Sequence, residues 1–197
     1  MMHNMQLKKY LAKYPKKYLI FDFDETITRI EMDWSLYYDR LAKVYEKFDP
    51  GHKHLVFSRY DGYNDFVKKY GKKVARLVKV ANQKYEQEMA RGFTPNPELI
   101  KFIKNADRYK KYIYSSNTLP TVLRGVRELE LDGCFDQIIT RSEVTYIKPD
   151  LEGFNLLYDP SVSKSEYLMI GNSFSDQNLA KLAEIDFYLV EYFRPIY

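Results

Sequence analysis

The chain has 197 residues, enough for one domain with a sizeable core, and its 45% hydrophobic and 29% charged residues exclude an intrinsically disordered protein. No apolar run reaches the roughly 20 residues that a membrane-spanning helix needs, and a net charge of +4 is too small to indicate nucleic-acid binding. The single cysteine, Cys134, excludes an internal disulfide and is typical of a reducing compartment. Because the first residues also lack a secretory signal, we expect a cytoplasmic protein that binds neither a membrane nor nucleic acid.

The first predicted elements are a short helix and a buried strand. Residues 5–14 place apolar and lysine side chains on opposite helical faces, which favours a helix docked on the domain over one lying on a membrane surface. Residues 18–21 form an apolar run of strand length, and Asp22 and Asp24 follow it. Because side chains alternate along a strand, both carboxylates project to the same side, where Mg²⁺ would offset their repulsion. Taken alone, the pair also fits an Asp-rich turn that starts a helix.

The segment 29–93 shows helical periodicity and no strand signal. Apolar residues recur at the i, i+3, i+4 and i+7 positions of an amphipathic helix over 32–48 and over 66–89, with a break at Gly71. This segment holds all of the net positive charge of the chain. Two histidines, His52 and His54, lie between the helical stretches, but no neighbouring residue completes a metal-ligand set.

From residue 94 onward, helices and strands alternate, which predicts an α/β fold with a parallel sheet and helices on both faces. Asn96 is placed to cap a helix that begins at Pro97. The later strands are predicted at 112–114, 135–140, 167–170 and 187–190. The helices between them are predicted at 119–129, 151–158 and 178–183.

Polar clusters follow four of the predicted strands. They are Asp22 and Asp24 after the first, Ser116 and Asn117 after the second, Lys148 after the third, and Asn172 and Asp176 after the fourth. In parallel α/β sheets, the ligand site lies outside the carboxyl ends of the strands. The convergence of four clusters on this edge therefore favours a functional site over an isolated Asp-rich turn.

Together these motifs resemble those of the haloacid dehalogenase superfamily, whose members are mostly phosphatases. The four motifs stand here as Asp22-Phe-Asp24-Glu-Thr26, Ser116 (with Ser115 as an alternative), Lys148-Pro149, and Gly171-Asn172-Ser-Phe-Ser-Asp176. The similarity covers roughly residues 17–28 and 94–191. Two positions depart from the pattern. Glu25 stands where many members have glycine, and Asn172 replaces an aspartate that usually binds magnesium, which should weaken metal binding.

The resemblance implies a domain organisation. Residues 1–28 and 94–197 would form a Rossmann-like, three-layer catalytic core. Residues 29–93 would be an inserted helical cap of the C1 type, which closes over the site and selects the substrate. The turns near 28–30 and 92–97 are the expected flexible points for that closure.

The resemblance also implies a role for each site residue. Asp22 is the implied nucleophile, which attacks phosphorus to form an aspartyl-phosphate, and Asp24 is the implied general acid and base. The implied phosphate-binding residues are Ser116, Asn117 and Lys148. The implied Mg²⁺ ligands are Asp22, Asp24 through its carbonyl, Asn172 and Asp176.

The expected function is therefore that of a magnesium-dependent phosphomonoester hydrolase acting on a small phosphorylated metabolite, as a monomer or a homodimer. A phosphosugar mutase of the same family is one alternative. A catalytically weak binding protein that retains the fold is another, because of Asn172. Glu31 follows Asp22 at the spacing at which phosphoserine phosphatases carry a substrate-binding glutamate, although most glutamates are simply exposed.

Overall fold

The computed structural model describes residues 2–50 and 61–193, with side chains placed from residue 6 to 50 and from 62 to 193. Its strands are β1 (Tyr18–Phe21), β2 (Thr28–Glu31), β3 (Gly92–Pro95), β4 (Lys110–Tyr114), β5 (Gln137–Ile139), β6 (Tyr167–Gly171) and β7 (Asp186–Leu189). Its helices are α1 (Met2–Lys13), α2 (Trp34–Tyr45), α3 (Asp61–Tyr70), α4 (Lys72–Met89), α5 (Pro97–Lys104), α6 (Leu119–Glu128), α7 (Glu152–Leu157) and α8 (Phe174–Ala183). None of the helices described here has the length and apolar composition needed to span a bilayer.

The central sheet has the strand order β5-β4-β1-β6-β7, and each neighbouring pair is parallel. Side chains alternate along β1, so Ile20 packs with residues of α7 and α8 on one face. Leu19 and Phe21 pack with residues of α1, α5 and α6 on the other face. Burial of each of these side chains contributes roughly 1.5–3 kcal/mol to the free energy of unfolding. The predicted three-layer α/β fold is confirmed, and Asp22 leaves the sheet at its middle strand.

Two short strands connect the sheet to the helices α2, α3 and α4, which we call the inserted helices. β2 and β3 pair in antiparallel register, from Thr28 opposite Pro95 to Glu31 opposite Gly92. The prediction of turns near 28–30 and 92–97, and of no strand in 29–93, is wrong here. With four residues each, the strands are too short for an alternating pattern to stand out from a helical one.

The inserted helices pack around Tyr37, Leu41, Phe66 and Val74, which belong to the same apolar cluster as Ile20 of the sheet. Between α3 and α4, Gly71 has a φ of +83°, which glycine adopts without a steric cost. Leu77, which the helical pattern placed with the buried stripe, is exposed, because the buried face of α4 continues instead through Val78, Asn82 and Glu86. His52 and His54 lie outside the described residues.

The other predicted elements are present, with boundaries shifted by a few residues. The predicted first strand agrees with β1 at both ends, and Asn96 caps α5 by accepting a hydrogen bond from Leu99 N. Helix α8 begins at Phe174, ahead of the predicted residue 178, because the Ser173 side chain caps it. The loop after β6, which carries Asn172, therefore passes directly into α8.

Candidate active site

The carboxyl ends of the parallel strands open onto a cavity of about 320 Å³ that is also lined by the inserted helices. That volume suits a small metabolite. Six of the predicted site residues line it, namely Asp22, Asp24, Ser116, Asn117, Lys148 and Asn172. The remaining one, Asp176, is fully buried and contacts Lys148. The four strand-end clusters therefore meet in one place.

Asp22 and Asp176 share the ammonium group of Lys148. Lys148 Nζ lies 2.6 Å from Asp22 Oδ1 and 2.6 Å from Asp176 Oδ1. Burial and the Asp176 charge raise the pKa of Asp22 to about 6, although the contacts with Lys148 oppose this rise. Burial would lower the pKa of Lys148, but the charges of Asp176 and Asp22 outweigh it and hold that pKa above its usual value. At neutral pH, Lys148 is therefore charged and Asp22 is mainly ionised.

Asp24 has a different environment, because β2 holds its side chain. Asp24 Oδ1 accepts a hydrogen bond of 2.8 Å from Ile30 N. Burial raises the pKa of Asp24 to about 8, and this hydrogen bond offsets the rise only in part. A carboxyl group with that pKa carries a proton near neutral pH and can donate it. The two neighbouring aspartates thus differ in protonation, which is the condition for dividing nucleophile and acid duties between them.

Of the two serines that follow β4, Ser116 lines the cavity and Ser115 is buried beside it. Ser115 Oγ donates a 3.0 Å hydrogen bond to Asn117 Oδ1 and accepts one of 3.1 Å from Asn117 N. The Ser115 hydroxyl is therefore used to hold the turn. This geometry favours Ser116 as the serine that meets a bound ligand.

The loop after β6 reaches the site through a close contact at Gly171. A Cβ atom at this position would lie 2.5 Å from Asp176 Cγ, so the approach requires glycine. Asp176 Oδ2 accepts hydrogen bonds from Ser173 N at 3.0 Å and from Ser173 Oγ at 2.7 Å, which completes a capping box at α8. Asp176 therefore both starts the helix and holds Lys148.

Hard oxygen donors gather in the cavity around Asp22 and Asn172. Thr26 Oγ1 lies 3.4 Å from Asp22 Oδ2 and 3.4 Å from Asn172 Oδ1. Ser175 Oγ is buried in the same wall without a hydrogen-bond partner among the described residues, which is costly unless a ligand or water completes it. Within the described part of the chain, no three His, Cys, Asp or Glu side chains group as a metal site. A cation here would rely on carboxylate, amide and carbonyl oxygens together, a donor set that suits Mg²⁺.

Two charged residues of the cavity wall, Arg141 and Glu86, were missed in the sequence. Arg141 directly follows the strand predicted at 135–140, so the strand-end rule could have found it. Glu86 continues the buried stripe of α4, where a carboxylate is unusual. Its Oε2 accepts hydrogen bonds from Thr118 N at 2.8 Å and from Thr118 Oγ1 at 2.6 Å, which ties α4 to the turn after β4.

Comparison with known proteins identifies the family of the chain. A family model described as haloacid dehalogenase-like hydrolase matches residues 19–190, nearly the whole chain. The chain belongs to this family. The predicted superfamily and the hydrolase class are thereby confirmed.

Individual relatives of this haloacid dehalogenase-like hydrolase are distant. The pyrophosphatase PpaX of Listeria monocytogenes is 24% identical over 178 residues, which cover 84% of this chain and 79% of that protein. A haloacid dehalogenase-like hydrolase from Bacteroides fragilis superimposes with a TM-score of 0.63 at 23% identity, covering 91% and 90% of the two chains. The hydrolase YfnB from Bacillus subtilis, solved with bound magnesium, gives 0.54 at 18% identity over 92% and 90%. These two structures support the fold.

Two acidic residues that the sequence singled out have structural roles in this hydrolase. Glu25, at the position where many family members have glycine, has a φ of +58°, a left-handed conformation that glycine adopts more easily. Its carboxylate pairs with Arg29 at 2.7 Å in an exposed contact. Glu31 is exposed on β2, where its Oε1 accepts a 2.5 Å hydrogen bond from Thr94 Oγ1. This placement does not support a substrate-binding role for Glu31.

Asn64 of α3 fixes the backbone next to Lys148. Asn64 Nδ2 donates to Ile147 O at 2.7 Å, and Ile147 N donates to Asn64 Oδ1 at 2.9 Å. The side chain is buried, so both hydrogen bonds are protected from water. The inserted helices are thus coupled to the position of the site lysine.

Replacing Asn64 by leucine should remove both hydrogen bonds at similar side-chain volume. Each buried peptide group left without a partner costs about 1–3 kcal/mol, so we expect a lower free energy of unfolding together with a lower kcat. Denaturant melts and steady-state assays of the same preparation measure both. The matched control is Asn105→Leu, because Asn105 is exposed and, among the described residues, its side chain donates only to Lys101 O at the end of its own helix. A stability loss with an unchanged kcat would contradict the coupling to Lys148.

Proposed function

We propose that the protein is a magnesium-dependent phosphomonoester hydrolase that acts on a small phosphorylated metabolite through a phosphorylated Asp22. The observation that carries this proposal is the pair Asp22 and Asp24, with different protonation, beside the charged Lys148 in one cavity. A relative that is a pyrophosphatase supports phosphoryl chemistry. A cytoplasmic location and a monomeric or homodimeric state remain predictions.

The reaction would proceed in two displacements at phosphorus. In the first, an Asp22 carboxylate oxygen bonds to phosphorus while the bond to the ester oxygen breaks, and Asp24 gives its proton to the departing alkoxide. In the second, a water oxygen bonds to phosphorus, Asp24 takes up a water proton, and the bond to Asp22 breaks. Asp24 returns to its starting state, and phosphate leaves. A halide leaving group would need no such proton, so Asp24 favours ester hydrolysis over dehalogenation.

The phosphate group would be held by the polar residues around the nucleophile. Lys148 offsets the charge of Asp22 and reaches a phosphate oxygen, and Ser116 and Asn117 donate to the others. Phosphoryl transfer depends mainly on such positioning and charge compensation. Because Asp176 holds the Lys148 ammonium and Asn64 fixes the neighbouring backbone at Ile147, the ammonium group is preorganised.

The oxygen donors of the site fit Mg²⁺, which Asp22, the Asp24 carbonyl, Asn172 and Asp176 would hold. Bound there, the cation would offset the repulsion between the Asp22 carboxylate and the incoming phosphate. The unpartnered Ser175 hydroxyl is a further oxygen at the same wall. Residues 29–93 would form the helical cap, which excludes water from the cavity when closed.

Asn172→Asp should strengthen magnesium binding, because it adds one negative charge to the ligand set. We expect the magnesium concentration for half-maximal activity to fall about tenfold, since ligand charge tunes the affinity of such sites. Titration of the cation in a steady-state assay measures it. Asn155→Asp, on the exposed surface of α7, is the matched control for added charge. An unchanged magnesium requirement would argue against Asn172 as a ligand.

The proposed activity is tested by phosphate release from a panel of phosphomonoesters, with magnesium and with chelator. We expect release that requires magnesium. Formation of an isomeric sugar phosphate with little free phosphate would instead identify a mutase. Absence of release at every magnesium concentration, also in Asn172→Asp, would leave a binding protein that retains the fold.

A further inference from the structure

Arg141 places a second positive charge in the cavity, beyond Lys148. It stands directly after Thr140, which follows β5, and its Nε donates a hydrogen bond to Ser116 O. The guanidinium lies over the ring of Tyr63, with Cζ 5.8 Å from the ring centroid. The Tyr63 hydroxyl donates to Thr145 O at 3.1 Å, which holds that ring in place. Arg141 is thus positioned from both the sheet and the inserted helices.

Within the part of the chain that the structure describes, most of the N–H groups of Arg141 have no hydrogen-bond partner. A guanidinium has five N–H groups, and among the described residues only its Nε donates a side-chain hydrogen bond. The two terminal nitrogens are therefore available to a ligand. Lys148 differs, because its ammonium already contacts Asp22 and Asp176.

The Arg141 guanidinium is surrounded by side chains of the inserted helices. Glu86 of α4 and the phenols of Tyr37, Tyr45 and Tyr63 lie close enough to act on its guanidinium electrostatically. A purely structural role would be to balance Glu86. However, Thr118 already satisfies Glu86 Oε2 through two hydrogen bonds, and a balancing charge does not require two free guanidinium nitrogens.

The two cations therefore line the same cavity with different neighbours. A phosphate held at Asp22 and Lys148 would lie beside Ser116, and Arg141 is bonded to the backbone of Ser116 on the side of the tyrosines. The part of the substrate beyond the ester oxygen would extend toward the free guanidinium nitrogens. A planar fork of N–H donors matches a carboxylate or a phosphate through paired hydrogen bonds.

We propose that Arg141 forms a second anion subsite, which selects phosphate esters whose leaving group carries a carboxylate or a second phosphate. This inference rests on the proposed phosphomonoester hydrolase. Arg141 would determine specificity, and the chemistry would remain with Asp22 and Asp24.

Three two-carbon esters test the subsite: hydroxyethyl phosphate, phosphoglycolate and ethylene glycol bisphosphate. They differ only in whether the far end is a hydroxyl, a carboxylate or a phosphate. For the wild-type protein, kcat/KM should be roughly 10- to 100-fold higher for one or both of the charged esters, as expected for charge-assisted hydrogen bonds. Comparison of the two charged esters identifies the preferred anion.

The relevant ratio is kcat/KM for a charged ester divided by kcat/KM for hydroxyethyl phosphate. Arg141→Met should bring this ratio close to one. Arg141→Lys, which keeps the charge but loses the planar fork of donors, should give an intermediate ratio. The lysine variant keeps the test valid if the methionine variant does not fold. Arg40→Met is the matched control, because Arg40 of α2 pairs with Glu88 at 3.0 Å and does not line the cavity. It should retain the wild-type ratio.

A wild-type ratio near one, or a ratio that Arg141→Met leaves unchanged, would overturn the subsite. The proposed hydrolase activity is judged separately, by turnover of p-nitrophenyl phosphate. Calorimetric affinities of the three esters for the Asp22→Asn protein give the same comparison without turnover. A preference for the charged esters in binding, with no hydrolysis by the wild type, would keep the subsite and reject the hydrolase.

Discussion

Asp22→Asn is expected to lower kcat for p-nitrophenyl phosphate by at least about 10⁴-fold, as is typical when a covalent nucleophile is removed. The amide has nearly the same shape but lacks the anionic oxygen that attacks phosphorus. Lys148 keeps its contact with Asp176 at 2.6 Å, so the buried ammonium retains one carboxylate and the fold should persist. Steady-state assays with magnesium, together with a thermal melt, measure both properties.

The matched control for this variant is Asp107→Asn. The Asp107 side chain is 93% exposed and pairs only loosely with Lys111 at 3.7 Å. A carboxylate this exposed and this distant contributes little, and the buried Lys111 keeps its 2.9 Å hydrogen bond to Ile103 O, so activity and stability should both stay near wild type. If Asp22→Asn retained more than a trace of activity, the assignment of Asp22 as the nucleophile would be wrong.

Asp24→Asn is expected to slow the reaction by about 10²–10⁴-fold with an alkyl ester, because the alkoxide then leaves without a proton. The asparagine Oδ1 can still accept the hydrogen bond from Ile30 N, so the loop should keep its conformation. The effect depends on the leaving group. Nitrophenolate needs little protonation, so its first release should stay fast, and the slow step becomes attack of water on the phosphorylated Asp22.

Rapid-mixing experiments distinguish the two steps. With p-nitrophenyl phosphate, the Asp24→Asn protein should release about one equivalent of nitrophenolate in a burst, followed by slow turnover, the pattern of a trapped covalent intermediate. With an alkyl ester, no burst should occur. Equal slowing of both esters in the first turnover would show that Asp24 acts on something other than the leaving group.

The position of the site was predictable from sequence because strand ends and ligand sites coincide in parallel sheets. The strand Tyr18–Phe21 is apolar throughout, so its end and the two aspartates after it stand out. The same rule located Ser116, Lys148 and Asn172 along an edge that the structure brings together. These predictions needed only local pattern and chain order.

Other features depend on contacts between distant residues. The pairing of β2 with β3 joins segments more than sixty residues apart, and neither strand is long enough to be identified alone. Likewise, the sequence does not show that Asn64 meets Ile147, or that Arg141 faces tyrosines of the inserted helices. The proposed specificity and the proposed coupling depend on tertiary packing, which the sequence does not show.

The choice between Ser115 and Ser116 illustrates the same limit. Both hydroxyls follow β4, and the sequence left either one as the phosphate-binding group. The Ser115 side chain makes two hydrogen bonds with Asn117 inside the turn, whereas Ser116 lines the cavity. Side-chain direction at the end of a strand was the missing information.

Passage of the phosphoryl group through Asp22 can be detected by mass spectrometry of the protein quenched with acid during turnover. Asp24→Asn, which should hydrolyse the intermediate slowly, is the best protein for the experiment. With p-nitrophenyl phosphate and magnesium, we predict an added phosphoryl group that maps to the peptide containing Asp22. The same protein carrying Asp22→Asn as well should show no addition. Phosphorylation at another residue, or hydrolysis without any phosphorylated protein in the burst phase, would exclude Asp22 as the nucleophile.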